Sequence, residues 1–402
     1  MMIHDSRYSW VRLLLSVLIA LIGNVGMWAV VMVMPAMQTE LGVDRGEISL
    51  PYTTTMVGFA LGNYLIGRLV DRFGIVWTLI FAACLNAAAF WATSFSNSLF
   101  WISMFQILLG FGTAATFGPL IADVSQWFLK RRGIAVAIAA SGNYLSGAIW
   151  PYALSGTLTE SGWRTVYEIL AALCLLIMVP LSLLLWRKVD DASVAVSDQL
   201  SSARLAGLPV STRSLVWLLG IAGIGCCVAM SMPQVHIVAY CVDLGYGPAV
   251  GAEMLSLMLL GGVVSRLIAG ALSDRLGGLR TLFISSTLQC VGLVFFLPYD
   301  GLASLYVVSA LFGLSQGGIV PSYAIIVREY LPAKKAGEQV GFVLMATIVG
   351  MALGGWLSGY IYELGGSYSW AFVNGIGWNV LNIAIIGFLL WRARTPMIAA
   401  SA

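Results

Sequence analysis

Between residues 11 and 391 the chain is almost continuously apolar, broken by short polar or Gly/Pro-bearing interruptions. A bilayer core of roughly 30 Å takes about 20 apolar residues of helix. Segments of that order read at 11–37, 49–70, 77–95, 99–126, 134–158 and 164–187, then at 214–241, 249–272, 279–297, 302–328, 336–362 and 370–391. Helices are expected because each segment must satisfy its own backbone amides in lipid. The pattern predicts an all-α polytopic membrane protein with twelve transmembrane helices in two six-helix bundles, 1–187 and 214–402, joined by a linker at 188–213. Composition excludes the alternatives. Charged residues make up 10% of the 402 positions and hydrophobic ones 59%, whereas a water-facing domain carries about 25% charged. A net charge of +3 from 21 cations and 18 anions is no basic patch, so nucleic acid is not an expected partner.

The few charges orient the helices. Lys and Arg collect in cytoplasmic loops, and with the N-terminus inside, 18 of the 21 cations fall on that side, Arg394 among them. Arg45 and Arg164 fall outside. Both termini are then cytoplasmic in a multi-pass protein of the cell membrane, the inner membrane if the cell is Gram-negative. The opening MMIHDSRYSW does not read as a cleavable signal. The remaining cation, Arg266, precedes Asp274 by eight residues, about 12 Å inside the cytoplasmic edge at 1.5 Å per residue. Six cysteines (Cys84, Cys174, Cys226, Cys227, Cys241, Cys290) fall in the spans without metal or redox spacing, so no metal or cofactor is expected.

GRLVDRFG at 67–74 recurs as GALSDRLG at 270–277, an offset of 203 residues. The same offset maps Asn63 onto Arg266, Gly110 onto Gly313, Trp127 onto Tyr330, and Arg131–Arg132 onto Lys334–Lys335. A six-helix unit duplicated in one orientation is a transporter repeat pattern, with the substrate site at the midplane. The paired G-x-x-x-D-R-x-G motifs resemble the signature of the major facilitator superfamily. WFLKRRGIAVAIAASG at 127–142, Pro151, GWR at 162–164 and HIVAYCVDLG at 236–245 followed by Arg266 resemble its monocarboxylate-transporter and oxalate–formate-antiporter branch. The chain departs from the pattern at Ile75 and Val76, where basic residues are usual, and at Gln106, where helix 4 often carries Arg. SGNYLSGAIWPY in helix 5 lacks the G-P-G-G of drug antiporters. Gly262 stands where many monocarboxylate transporters place an Asp, and Thr347 where dicarboxylate exchangers place a second cation. The resemblance thus implies a transporter of one monoanion, with protons or a counter-anion as its co-substrate.

A charge at bilayer depth costs at least about 2.5–3.5 kcal/mol, so Arg266 is expected to face a cavity and meet an anion. A guanidinium grips a carboxylate through two parallel hydrogen bonds, and Gly262 and Gly270 on its face leave room. The alternative is a structural ion pair with an acid on another helix. Asn24, Trp28, Asn63, Asn143, Tyr144, Tyr323 and Thr347 are further candidates for the substrate, because a carboxylate has more acceptor sites than one Arg fills. Equally, such residues glue helices together. His236 could bond the substrate or titrate, or be satisfied by neighbouring helices. Phe117, where relatives often carry Tyr, would give an apolar wall. Asp71–Arg72 and Asp274–Arg275 are expected to gate by reaching positive helix N-termini. Asp123 reads as a cap or pair rather than a proton relay.

The expected function is secondary active transport of a small organic monocarboxylate by a monomer embedded in lipid. A larger anion (aromatic acid, sugar acid or vitamin) comes second and drug efflux third. No G-x-x-x-x-G-K-[ST] loop is present, so gradients supply the energy. With two histidines in the whole chain, a nucleophile–base pair or metal cluster at depth is not expected, and neither is an enzyme.

Overall fold

The apolar stretches fold into helices, and in this computed structural model residues 4–43, 45–48, 50–208, 210–298 and 300–393 are described. Arg394 lies outside them. Along the chain run α1 (Arg7–Gly23), α2 (Val25–Leu41), α3 (Arg45–Ile48), α4 (Leu50–Phe73), α5 (Ile75–Ser94), α6 (Leu99–Thr113), α7 (Gly118–Trp127), α8 (Arg132–Leu173), α9 (Val179–Leu183) and α10 (Asp191–Ala206). They continue as α11 (Thr212–Asp243), α12 (Pro248–Leu276), α13 (Gly278–Phe295), α14 (Leu302–Gln316), α15 (Ile319–Tyr330), α16 (Ala336–Gly365) and α17 (Ser369–Ala393). Among the described residues there is no strand.

Ten stretches among these are long and apolar enough to cross a bilayer. One of them, Arg132–Leu183, holds two spans, because the chain breaks at Gly162, whose φ of 81° suits glycine. Helix α4 supplies the twelfth span; it falls outside that apolar set, with Pro51, Tyr52, Thr53–Thr55, Asn63 and Tyr64 in its sequence.

Several spans are discontinuous, and prolines explain most of the breaks. A 3₁₀ turn at Ala114–Thr116 separates α6 from α7, and Pro119 follows. Gly317 and Gly318 separate α14 from α15, and Pro321 follows. A π turn at Cys174–Met178 precedes Pro180, which has no N–H for the carbonyl four residues back. Asn24 interrupts the first span between α1 and α2.

The chain divides into two compact units. Unit 1 is Met1–Leu129, Ile138–Ala195 and Ala333–Met345; unit 2 is Lys130–Ala137, Val196–Pro332 and Ala346–Ala402. Within unit 1, α4 packs on α6; within unit 2, α12 packs on α14, the same pair carried through the 203-residue repeat. Helices in lipid gain little from hiding apolar surface and rely on close backbone approach. A Cβ on Gly110 would lie 2.0 Å from the Thr55 carbonyl, and one on Gly313 would lie 2.5 Å from that of Met258. Those two glycines and their two contacts are related by the same offset, so both copies use one joint.

Polar bridges fix the remaining packing. In unit 1 the buried Gln106 accepts from Thr55 Oγ1 (2.9 Å) and donates to Tyr167 Oη (3.0 Å). The stretch 188–213 contains α10, whose first turn is capped by Asp190 (Ser193 N–H to Oδ2, 3.1 Å); bonding to Ser193 holds the Asp190 carboxyl below its ordinary range. In unit 2, Ser201 of α10 donates to the Arg328 carbonyl (3.2 Å), Ser197 accepts from Arg132 (3.1 Å), and Arg204 stands 3.6 Å from Glu329.

Candidate functional site

Arg266 sits on α12 in unit 2 with 4% of its surface exposed. Its Nε–H donates to the Gly317 carbonyl at 3.1 Å. That carbonyl lies at the α14–α15 break, and the residue four places on is Pro321, which has no N–H to give it. A Cβ on Gly317 would lie 1.9 Å from the Gly262 carbonyl, so α12 and the break meet backbone to backbone. Both acids of α12 are engaged elsewhere. Glu253 accepts from the Tyr306 hydroxyl, and Asp274 accepts two backbone N–H groups.

In unit 1 the counterpart of Arg266 in the repeat does the counterpart job. Asn63 is fully buried; its Oδ1 accepts from Gly118 N–H (3.1 Å) at the start of α7, and its Nδ2 donates to the Phe59 carbonyl (2.8 Å). Asn63 and Arg266 therefore each patch a helix break, one of four residues with an amide and one of two residues with a cation. Phe117 closes the first break with its ring 5.8 Å from that of Phe59.

Asn24, Trp28 and Asn143 are brought together in unit 1. Asn143 Nδ2 donates to Asn24 Oδ1 (3.0 Å), Trp28 Nε1 donates to the Asn143 carbonyl (3.0 Å), and Asn24 Nδ2 donates to the carbonyls of Ala20 (2.8 Å) and Thr116 (3.2 Å). Tyr144 beside them is half-buried.

Tyr323 is fully buried within unit 2 and donates to Asn382 Oδ1 (2.9 Å); Asn382 in turn donates to Ser286 Oγ (2.7 Å). Thr347 is buried within hydrogen-bonding reach of Cys227, whose Sγ is 3.5 Å from that of Cys226. His236 has both ring nitrogens in contact with protein groups. Nε2 stands 2.9 Å from the Gly355 carbonyl, which can only accept, so Nε2 carries the proton and Nδ1 accepts from the Tyr368 hydroxyl at 3.3 Å. Burial, with Asp243 and Tyr362 adding to it, pushes that hydroxyl up to about 12, so Tyr368 remains a donor.

The two motif aspartates do related work. Asp71 Oδ1 and Oδ2 accept the N–H groups of Gly337 (2.9 Å) and Glu338 (2.8 Å) at the start of α16, all in unit 1. Asp274 Oδ1 and Oδ2 accept those of Gly133 (2.5 Å) and Ile134 (3.1 Å) at the start of α8, all in unit 2. Each carboxylate faces the positive end of a helix dipole. The motif glycine one turn earlier permits the approach: a Cβ on Gly67 would lie 2.2 Å from the Gly337 carbonyl, and one on Gly270 would lie 2.8 Å from that of Gly133. Arg72 lies over the Phe73 ring at 5.2 Å, and Arg275 is exposed.

Some groups around these sites had no signature in the sequence. Arg12 and Asp123 form a bidentate pair, with Nε to Oδ2 and Nη2 to Oδ1 both at 3.0 Å. Arg132 donates to the Arg328 carbonyl (2.9 Å), and Arg68 pairs with Glu338 (2.7 Å). Partners far apart in sequence cannot be matched by spacing. The Gly317 carbonyl was readable, since a proline four residues later marks it.

Residues 16–252 and 217–401 each match the sequence profile of the Major Facilitator Superfamily. Over 333 residues the chain is 28% identical to monocarboxylate transporter 13 of Rattus norvegicus, covering 81% of this chain and 74% of that protein. It is 24% identical to the MFS-type transporter pynF of Aspergillus niger over 339 residues, covering 84% and 77%. Among solved structures, the human organic anion transporter MFSD10 aligns with a TM-score of 0.74 at 14% identity, covering 93% of this chain and 99% of that one. That structural likeness concerns the fold.

Proposed function

The chain belongs to the major facilitator superfamily and is a membrane transporter rather than an enzyme, and on that premise we propose that it carries a small organic monocarboxylate by alternating access, with Arg266 as the counter-charge of the carboxylate. The observation that carries this reading is a cation 4% exposed in the middle of a membrane-spanning helix whose own two acids are committed to other partners. Burying a guanidinium is costly, and an anionic substrate offsets that cost. The name of the rat relative supports the substrate class. One cation within the span 249–272, with Thr347 and Gly262 at the two places where branch members carry further charges, suits a single carboxylate.

Asn24, Trp28, Asn63, Asn143, Tyr144, Phe117, Tyr323, Thr347 and His236 stay in the proposed substrate set, with a difference of role. Those whose polar atoms are already bonded to protein shape the walls, and the guanidinium makes the charged contact. Asp71 and Asp274, with Arg72 and Arg275, act as gates by engaging and releasing helix N-termini. The cation distribution puts both termini in the cytoplasm, with protons or a counter-anion as the co-substrate.

Proteoliposomes holding the protein should take up labelled lactate or benzoate, and Arg266→Gln should lower uptake at least about 100-fold, as expected when a buried charge loses its partner at a cost of about 3 kcal/mol. Normal transport by Arg266→Gln would overturn the assignment. A thermal-shift screen over organic acids then narrows the substrate.

A further inference from the structure

Two exposed tryptophans meet at one end of unit 1. Trp77, near the start of α5, and Trp186, just past α9, are 57% and 59% exposed, yet their rings pack edge to face with centroids 5.8 Å apart. Exposed Phe81, one turn further along α5, and exposed Leu183, the last residue of α9, extend apolar surface from the pair into the span. Helices α5 and α9 pack on each other, so the two surfaces adjoin. Arg187 and Lys188 follow Trp186 directly and are both exposed. Tryptophans at headgroup level, apolar surface on one side of them and cations on the other are the complement of an anionic phospholipid.

The turn that carries these groups is held from inside the unit. Buried Arg12 donates from Nη1 to the carbonyls of Leu185 and Arg187, both at 2.9 Å, while Asp123 engages its other edge. Short turn bonds run from Leu185 N–H to the Ser182 carbonyl (3.1 Å) and from Trp186 N–H to that of Leu183 (3.3 Å). The Arg187 guanidinium lies over the Tyr8 ring at 4.8 Å, which brings the start of α1, with exposed Arg7, to the same patch. The neighbouring acids are committed: Asp123 to Arg12, Asp5 to Leu129 N–H (3.1 Å) and Asp190 to Ser193 N–H (3.1 Å). At the 203-residue offset Arg12, Trp77 and Trp186 become Leu215, Arg280 and Leu389, and α17 runs straight on to Ala393. The patch is therefore no requirement of the fold.

We propose that this patch binds one anionic phospholipid, with an acyl chain along Trp77, Phe81 and Leu183 and the phosphate at Arg187 and Lys188. Because Arg12 fixes the turn, the cations are in place before the lipid arrives and little ordering is left for it to drive. The site stands apart from Arg266 and does not depend on which substrate is carried.

Native mass spectrometry of the full-length protein in detergent, titrated with phosphatidylglycerol or with phosphatidylcholine, tests the proposal. Wild type should bind one phosphatidylglycerol about 25-fold more tightly than the net-neutral phosphatidylcholine, two cations contributing about five-fold each. Arg187→Gln combined with Lys188→Gln should erase that preference. Trp77→Ala combined with Trp186→Ala should weaken both lipids and keep it. Trp91→Ala, at the other end of α5, should change neither. Equal binding of the two lipids by wild type, or an unchanged preference in the double cation variant, overturns the proposal. Displacement of phosphatidylglycerol by excess inorganic phosphate overturns it too, since that marks a site for the free anion. Phosphatidylglycerol with brominated acyl chains gives a second readout in folded protein. At one equivalent it should quench a larger fraction of the tryptophan fluorescence in wild type than in Trp77→Phe with Trp186→Phe, and equal quenching refutes the placement.

Discussion

Replacing Asp123 with Asn distinguishes a structural pair from a proton relay. Arg12 is 2% exposed and Asp123 13%, and they share two hydrogen bonds of 3.0 Å. The same guanidinium donates from Nη1 to the carbonyls of Leu185 and Arg187, both at 2.9 Å, and stacks over Trp127 at 4.5 Å. One side chain thus ties α1 to α7 and to the turn after α9. Asn is nearly isosteric with Asp, but it removes the negative charge and points an NH2 group at guanidinium donors. Breaking a buried pair from one side costs about 3–5 kcal/mol, because the remaining charge is uncompensated. Two carbonyl acceptors still hold Arg12, which places this case near the lower end, about 3 kcal/mol.

Equilibrium unfolding by SDS titration from mixed micelles would read that loss. Arg12→Met combined with Asp123→Leu should recover to within about 1 kcal/mol of wild type, since apolar replacement of both partners leaves no buried charge. A cost under about 1 kcal/mol for Asp123→Asn, or a double variant less stable than the single one, would refute the structural reading. A relay carboxylate would show the opposite profile, with stability kept and pH-driven uptake lost.

The helices were legible because lipid imposes one rule on every segment: satisfy the backbone internally. The 203-residue repeat was legible because α4 and α12 must make the same close joint, with glycines at 110 and 313 meeting the same carbonyl positions. The breaks inside spans were harder to read. Pro119 and Pro321 signal them, yet proline in a membrane helix is also tolerated without a break. Side-chain pairing was not legible at all, since Arg12 and Asp123 lie 111 residues apart. Among the candidate substrate residues, type and depth located Arg266, Asn63 and Asn143 in the sequence. Their partners, which decide what each can do, follow from packing. Asn63 and Arg266 illustrate the gap: the offset relates them, and only the fold shows that both serve a helix break.

Two further outcomes follow. Glu40 is bonded by Trp163 Nε1 (2.7 Å) and Arg164 Nη2 (2.5 Å), and the Arg164 bond, against some desolvation and with help from Trp163, holds its carboxyl below the ordinary value of 4.5. A lowered carboxyl value means stability present above the unfolded value and lost as pH falls through the folded one. The pair is partly exposed, so its contribution is less than about 1 kcal/mol; the melting difference between wild type and Glu40→Gln should be present at pH 7 and shrink progressively as the pH falls below the ordinary value of 4.5. The motif aspartates carry the larger functional consequence. Each accepts two backbone N–H groups at a helix start, and Asn at 71 or 274 keeps one acceptor oxygen while losing the charge and one bond. Both carboxylates are exposed, which reduces the loss to about 1 kcal/mol per site, or roughly five-fold in the conformational equilibrium they bias. The sites lie in different units, so the double variant should shift that equilibrium about 25-fold. Labelling of a cysteine introduced beside Arg68 measures it: if these contacts hold one state, labelling rises in the order single, single, double while substrate affinity measured by thermal shift stays put. Equal labelling in all four proteins would show that the aspartates cap helices without biasing any transition, because a group bonded alike in every state shifts no equilibrium.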